Sequence, residues 1–174
     1  MAANFTDFVA SAVLTAAQLN GVLDNFQDIA IFNETQASNT NGGTATTGSW
    51  QKRTLNTTVV NNITGCSIAS SVVTLLAGTY RVRGTSPALS VGSHKNRLQN
   101  TTAATTTATG TTEYVGTGAQ SYGQFDVVFT IASTSNFELQ HFVQTTVATN
   151  GFGGAAGFAS TSEIYSILFI QRVQ

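Results

Sequence analysis

An antiparallel β-sandwich of about eight strands, preceded by a single helix, is the fold class that this sequence predicts. Two features of the chain predict it. Short alternating or β-branched runs recur from Trp50 to Val173, separated by turn-forming clusters of Gly, Ser, Asn and Thr. One segment near the start, and no other, carries apolar residues at three-and-four spacing. A third feature concerns the surface. Asp, Glu, Lys and Arg make up 9% of the 174 residues, against about 25% in an average soluble chain. Hydroxyls and amides must then cover the surface, or subunits must cover one another. With 41% hydrophobic residues, the composition is that of a folded chain rather than a disordered one.

The helical segment is LTAAQLNGVLDNFQDIAIF, residues 14–32. Thr15 suits the N-cap, Gln18 can reach back to its amide, and Leu14 can staple onto Leu19. The stripe then runs through Leu19, Val22, Leu23, Phe26, Ile29 and Ala30, with Asn20, Asp24, Gln27 and Asp28 on the other side. Gly21 weakens the middle by roughly 1 kcal/mol relative to Ala. A lone helix of about 15 residues is marginal in water, so the stripe needs a partner. Residues 1–32 are expected to form an anchor or trimerisation helix.

Residues 33–49, NETQASNTNGGTATTGS, have almost no apolar side chains and are expected to be a flexible polar linker. Strand-like runs follow at 50–59, 72–76, 79–84, 94–100, 113–115, 124–132, 137–147 and 163–173. Turn signals stand between them, among them AGT (77–79), TSP (85–87) and NGFGG (150–154). The Thr-rich tract 101–113 fits either an edge strand or a mobile loop. This pattern describes an antiparallel sandwich or jelly roll over 50–174.

Alternation assigns faces. In one run Phe137, Leu139, His141 and Val143 share a face, with Phe142 on the other. In the last run Ile164, Ser166, Leu168 and Ile170 oppose Tyr165, Ile167 and Phe169. A strand apolar on both faces implies a subunit interface over its outer side. The expected interface residues are Phe142, Tyr165, Ile167 and Phe169.

The succession W-x-K-R-T-L-N-T, L-x-A-G-T-Y-R-V, H-K-x-R-L-x-N-x-T, G-T-x-E-Y, F-E-L-Q-H-F and E-I-Y-x-I-L-F-I resembles the C-terminal β domain of bacteriophage fibre proteins. Those domains are jelly rolls similar to the complement globular head and tumour necrosis factor, and they form tight trimers. The opening L-T-A-A-Q-L-N-x-x-x-D-N-F is similar to the short N-terminal helix of many phage tail and fibre proteins. The resemblance implies a virion structural protein: a homotrimeric short tail or head fibre, anchored to another virion protein through residues 1–32, with an outward head for host attachment. The alternative is a trimeric decoration protein that stabilises the capsid shell. For a head that binds host surface glycan, Tyr114, Tyr122, Phe152 and Phe158 are the aromatic contacts the sequence offers.

Other classes find little support. Net charge is −1 with a pI near 6.0, which leaves no footprint for nucleic acid. No run approaches the ~18 apolar residues of a membrane span. Cys66 is the single cysteine, so neither an intrachain disulfide nor a cysteine metal site is expected. MAANFTDF lacks the basic start of a signal peptide, so assembly in a cytoplasm and residence in the virion are expected. No two of Glu113, Asp126, Glu138 and Glu163 are adjacent, and there is no nucleophile elbow. No enzyme, cofactor or metal is expected. His141 fits a hydrogen-bonded core or interface histidine better than a ligand, and Arg83 and Arg97 are expected to pair with Glu138 or Glu163.

Overall fold

The computed structural model describes Thr15 and residues 28–173. Twelve strands run through the described residues: β1 (Ile29–Gln36), β2 (Gln51–Lys52), β3 (Thr57–Asn61), β4 (Ser67–Ala69), β5 (Val72–Leu75), β6 (Gly78–Leu89), β7 (Gly92–Asn100), β8 (Thr105–Thr109), β9 (Glu113–Val115), β10 (Gln120–Ile131), β11 (Ser135–Val143) and β12 (Glu163–Arg172). They form two antiparallel sheets. The first has the order β10-β6-β12-β1-β3. The second has β4-β5-β11-β7-β8, with β2 added beside β11 and β9 beside β7. This is the jelly roll that the alternating runs predict.

Period-two alternation fills the space between the sheets. Phe32 of β1, Tyr80 and Val82 of β6, and Leu168 and Ile170 of β12 face Val73, Leu98, Phe137 and Leu139 of the second sheet. β12 lies at the centre of the first sheet, between β6 and β1. Its outward residues Ile167 and Phe169 remain partly open, so the strand is apolar on both faces as the sequence suggests. The Arg172 amide donates to the Asp28 carbonyl at 2.9 Å, so the chain enters and leaves the sandwich at the same end.

Three expectations are corrected and one open alternative is resolved. Ile29 and Ala30, the last members of the helical stripe, belong to β1. There Ala30, Phe32 and Glu34 point inward at period two, and seven pairs with β12 outweigh the local helical spacing. Leu19, Val22, Leu23 and Phe26 lie outside the described residues. Residues 33–49 are not a free linker. Asn33–Gln36 complete β1, and Gly42, Gly43 and Ala45 bond through their backbones to Gly153, Thr149 and Val147. Small residues there allow the close backbone approach that large side chains would prevent. TSP (85–87) is not a turn but part of β6, with Pro87 past Thr85, where pairing with β12 stops. The Thr-rich tract supplies β8, the edge strand of its sheet.

Tyr165 has the outward parity of Ile167 and Phe169, yet it is buried. The chain's own Gly-rich loop covers it, with the Tyr165 hydroxyl donating to the Thr40 carbonyl at 2.7 Å. Gly153, at φ +130, lies so close that a Cβ would strike the Tyr165 ring. Tyr165 is thus an internal residue and not a subunit contact.

Because β1 joins β12 to β3 and carries Phe32 and Glu34 inward, the fragment 50–174 is expected not to fold. Circular dichroism should show no cooperative melt for it, while the full chain melts cooperatively. A cooperative transition in the fragment would show that β1 is dispensable.

Candidate functional site

At one level of the sandwich the inward residues change from apolar to polar. β6 passes from Val82 through Ser86 to Ala88, and β11 from Leu139 through His141 to Val143. β1 passes from Phe32 to Glu34, and β12 from Leu168 to Ser166. The result is a polar layer between a large apolar cluster around Phe32 and Leu139 and a small one around Ala88, Val143 and Phe152.

Arg53 lies at the centre of this layer, wholly buried. Its Nη2 donates to Glu34 Oε2 at 2.7 Å and to the Phe152 carbonyl at 2.9 Å. Nη1 donates to the Pro87 carbonyl at 3.0 Å, and the guanidinium stacks on the Phe152 ring at 4.1 Å. Ser166 Oγ donates to the same Glu34 oxygen at 2.9 Å. Burial pulls the Arg53 pKa below its ordinary value, and Glu34 opposes that shift. Removing one partner of such a pair leaves a buried charge uncompensated, at about 3–5 kcal/mol.

The histidines extend the layer. Arg53 Nη1 stands 3.5 Å from His141 Nδ1, and a guanidinium can only donate, so Nδ1 accepts. His141 Nε2 then carries the proton and donates to His94 Nδ1 at 2.9 Å. His94 Nε2 in turn donates to Ser121 Oγ at 2.7 Å. Both rings are neutral in this arrangement. Burial, the Arg53 charge and His94 push the His141 pKa down to about 2. Burial also lowers His94, with Glu113 working against it and Arg53 adding to it. The facing ring nitrogens bond to each other, so the pair is the hydrogen-bonded core histidine arrangement expected for His141.

The outer face of the first sheet is a second element. The β12–β1 and β12–β6 registers place Phe169 between Ile31 and Arg83, and Ile167 between Asn33 and Thr85. Ile167 is 39% exposed and Val128 60%. Asp126 takes both Arg81, at 2.7 Å, and Arg83, at 3.5 Å, which forms a charged border beside the apolar patch.

The outer face of the second sheet is different. Trp50 meets Phe142 edge-on at 5.6 Å, and Arg97 stacks over the indole at 4.2 Å. Arg97 is held by Gln140 Oε1 at 2.7 Å and by Thr106 Oγ1 at 3.0 Å. Neither Arg83 nor Arg97 pairs with Glu138 or Glu163, contrary to expectation. Glu138 takes Lys52 at 3.7 Å and Gln140 instead. Glu163 accepts from the amides of Gly157, Ala156 and Asn39, which hold its carboxyl below the usual range.

The expected site residues therefore separate. Ile167 and Phe169 share one outer face, and Phe142 lies on the opposite sheet beside Trp50. Of the four aromatics, Tyr114, Tyr122 and Phe158 are exposed, whereas Phe152 is buried under Arg53 and cannot serve as a surface contact. Strand alternation alone does not single out Glu34 and Arg53. The polar residue at the inward positions of His141 and Ser166 was the available signal.

No family model matches the sequence, and no curated protein matches it. Among solved structures, the globular domain of zebrafish complement 1qA protein superimposes with a TM-score of 0.55 at 11% identity, over 84% of this chain and 98% of that chain. Murine APRIL at pH 5.0 gives 0.50 at 8% identity, over 82% and 98%. The PRD1 vertex protein P5 gives 0.45 at 12% identity, over 83% and 97%. The fold is the jelly roll of the complement globular head. At these identities the likeness concerns fold alone.

The neutral histidine pair makes stability depend on pH. Folded pKa values below the ordinary 6.5 mean that the unfolded chain binds more protons beneath pH 6.5. Stability is full above about pH 6.5 and declines as pH falls towards 2, by about 1.4 kcal/mol per pH unit for His141 alone. Urea unfolding across pH 4–8 should show this decline, and His141→Phe should flatten it.

Proposed function

We propose that this chain is a self-associating structural head of a phage virion, a homotrimer that packs through the outer face of its first sheet. The observation that carries this reading is the apolar patch of Ile31, Ile167 and Phe169 at the centre of that sheet, bordered by the Arg81–Asp126–Arg83 ladder. In a protein with 9% charged residues, such a patch resembles the centre of an interface, apolar inside and charged at the rim. The resemblance of the β-strand motifs to phage fibre heads supports a trimer and a place in the virion. A non-enzymatic role agrees with that resemblance, and Asp126, Glu138 and Glu163 are each engaged in a separate structural contact.

The segment before Asp28 would attach the head to another virion protein. A short tail or head fibre would be present in a few tens of copies or fewer per particle, and a capsid decoration protein in hundreds. Counting copies separates these two forms of the same reading.

Light scattering of the full chain at micromolar concentration should give three times the 18.2 kDa chain mass. Ile167→Asp should give folded monomers, because a carboxylate at the centre of a closed apolar interface has no partner. A monodisperse wild-type monomer would sink the proposal. A separate test concerns attachment: Leu23→Asp should remove the protein from purified particles while the head stays folded and trimeric. Normal incorporation of that variant would place the attachment elsewhere.

A further inference from the structure

We propose that the recess beside Trp50 is a binding site for an acidic pyranose, a sugar ring that carries a carboxylate. This goes beyond the self-association reading, since the recess lies on the second sheet and the apolar patch on the outer face of the first.

The recess has a volume of about 400 Å³, in the range of small-ligand sites. Trp50, Phe142, Thr47 and Thr112 are among the residues that line it, and its walls are almost wholly apolar. A pyranose presents one face of C–H groups, which packs on an aromatic ring, and hydroxyls around its edge. Ser93 and Thr112, two of the lining residues, carry hydroxyls of the kind that bond such an edge. Tyr114, 74% exposed, is directly opposite Ser93 in the β9–β7 ladder and so leaves the same face of the sheet.

The Trp50 ring is fixed before any ligand arrives. Arg97 stacks on it, and Gln140 and Thr106 lock Arg97 in turn. Fixing an aromatic platform in advance removes an ordering cost from binding. So large an apolar ring left partly open, with an arginine committed to holding it, is built for contact.

Lys95 sets the charge of the ligand. It lines the recess directly opposite Phe142 in the β11–β7 ladder, and it makes no ion pair among the described residues. The neighbouring cations are committed elsewhere: Lys52 to Glu138, and Arg97 to Gln140 and Trp50. An aromatic wall with one uncommitted ammonium beside it complements a ring with an apolar face and a carboxylate.

Trp50 is the single tryptophan of the chain, so indole fluorescence reports on this site alone. The full-length protein would be titrated with trigalacturonate, with maltotriose as the neutral probe and sodium acetate as the free-carboxylate control. Trigalacturonate is expected to give a saturable change in emission at millimolar concentration, with little response to the two controls. Lys95→Gln should weaken it about tenfold, the worth of one charge-assisted hydrogen bond, with an unchanged melt by circular dichroism. No saturable change with trigalacturonate up to about 20 mM would overturn the proposal. An equal response to maltotriose, an equal response to acetate, or an unaffected Lys95→Gln variant would also overturn it. Light scattering on the same samples reads the oligomeric state separately, so a failed titration leaves the self-association reading to its own test.

Discussion

A fully buried guanidinium constrains this sandwich more than any other group. Arg53 is charged at every pH the protein meets, so the interior must supply acceptors on all sides of it. It does so from four distant parts of the chain, Glu34 of β1, Pro87 of β6, His141 of β11 and Phe152 of the Gly-rich loop, while Ser166 of β12 donates to Glu34 and steadies it. A slip of one residue in any of these strands would turn a needed acceptor away. A pair of this kind adds less to net stability than well-packed apolar side chains of the same volume. Its stronger effect is on uniqueness, because alternative registers leave a charge without a partner.

The polar layer also explains the placing of the Gly-rich loop. Arg53 holds the Phe152 carbonyl and ring, which brings Gly153 down onto Tyr165 and Pro87. That closes the upper part of the first sheet's outer face. The lower part, around Ile167 and Phe169, stays open. One internal ion pair thereby decides which portion of an external surface is available. On the opposite sheet a second arginine does similar work at the surface, where Arg97 fixes the single indole.

Much of this was legible in the sequence because strand alternation is a local code. The faces of β11, and Ile167 and Phe169 outward against Leu168 and Ile170 in β12, follow directly from period two, and His141 stood out as a polar residue in an apolar row. β1 was not legible. IAIFNETQ continues a helical spacing at its start and turns polar at its end, and both signals conceal a strand whose one acidic side chain is internal. The burial of Tyr165 and Phe152 depends on a loop that returns from a distant point in the chain, which no local pattern encodes. Trp50 and Arg97 were visible as residue types, but their stacking arises only when β2 and β7 flank β11.

The bond between Arg172 and Asp28 has a mechanical consequence. The chain enters the sandwich beside the place where it leaves, at the end where β6 begins, while the Trp50 recess is flanked by the start of β7 at the other end. Traction between a tether ahead of Asp28 and an object gripped at the recess would run lengthwise along β1. The ladders of β1 with β12 and β3 would then carry that load in shear, with all their bonds resisting together. Pulling the two ends of the chain apart would instead peel β1 from β12 one bond at a time. The same ladders therefore resist a lengthwise load along β1 and yield to unzipping at the Asp28–Arg172 end.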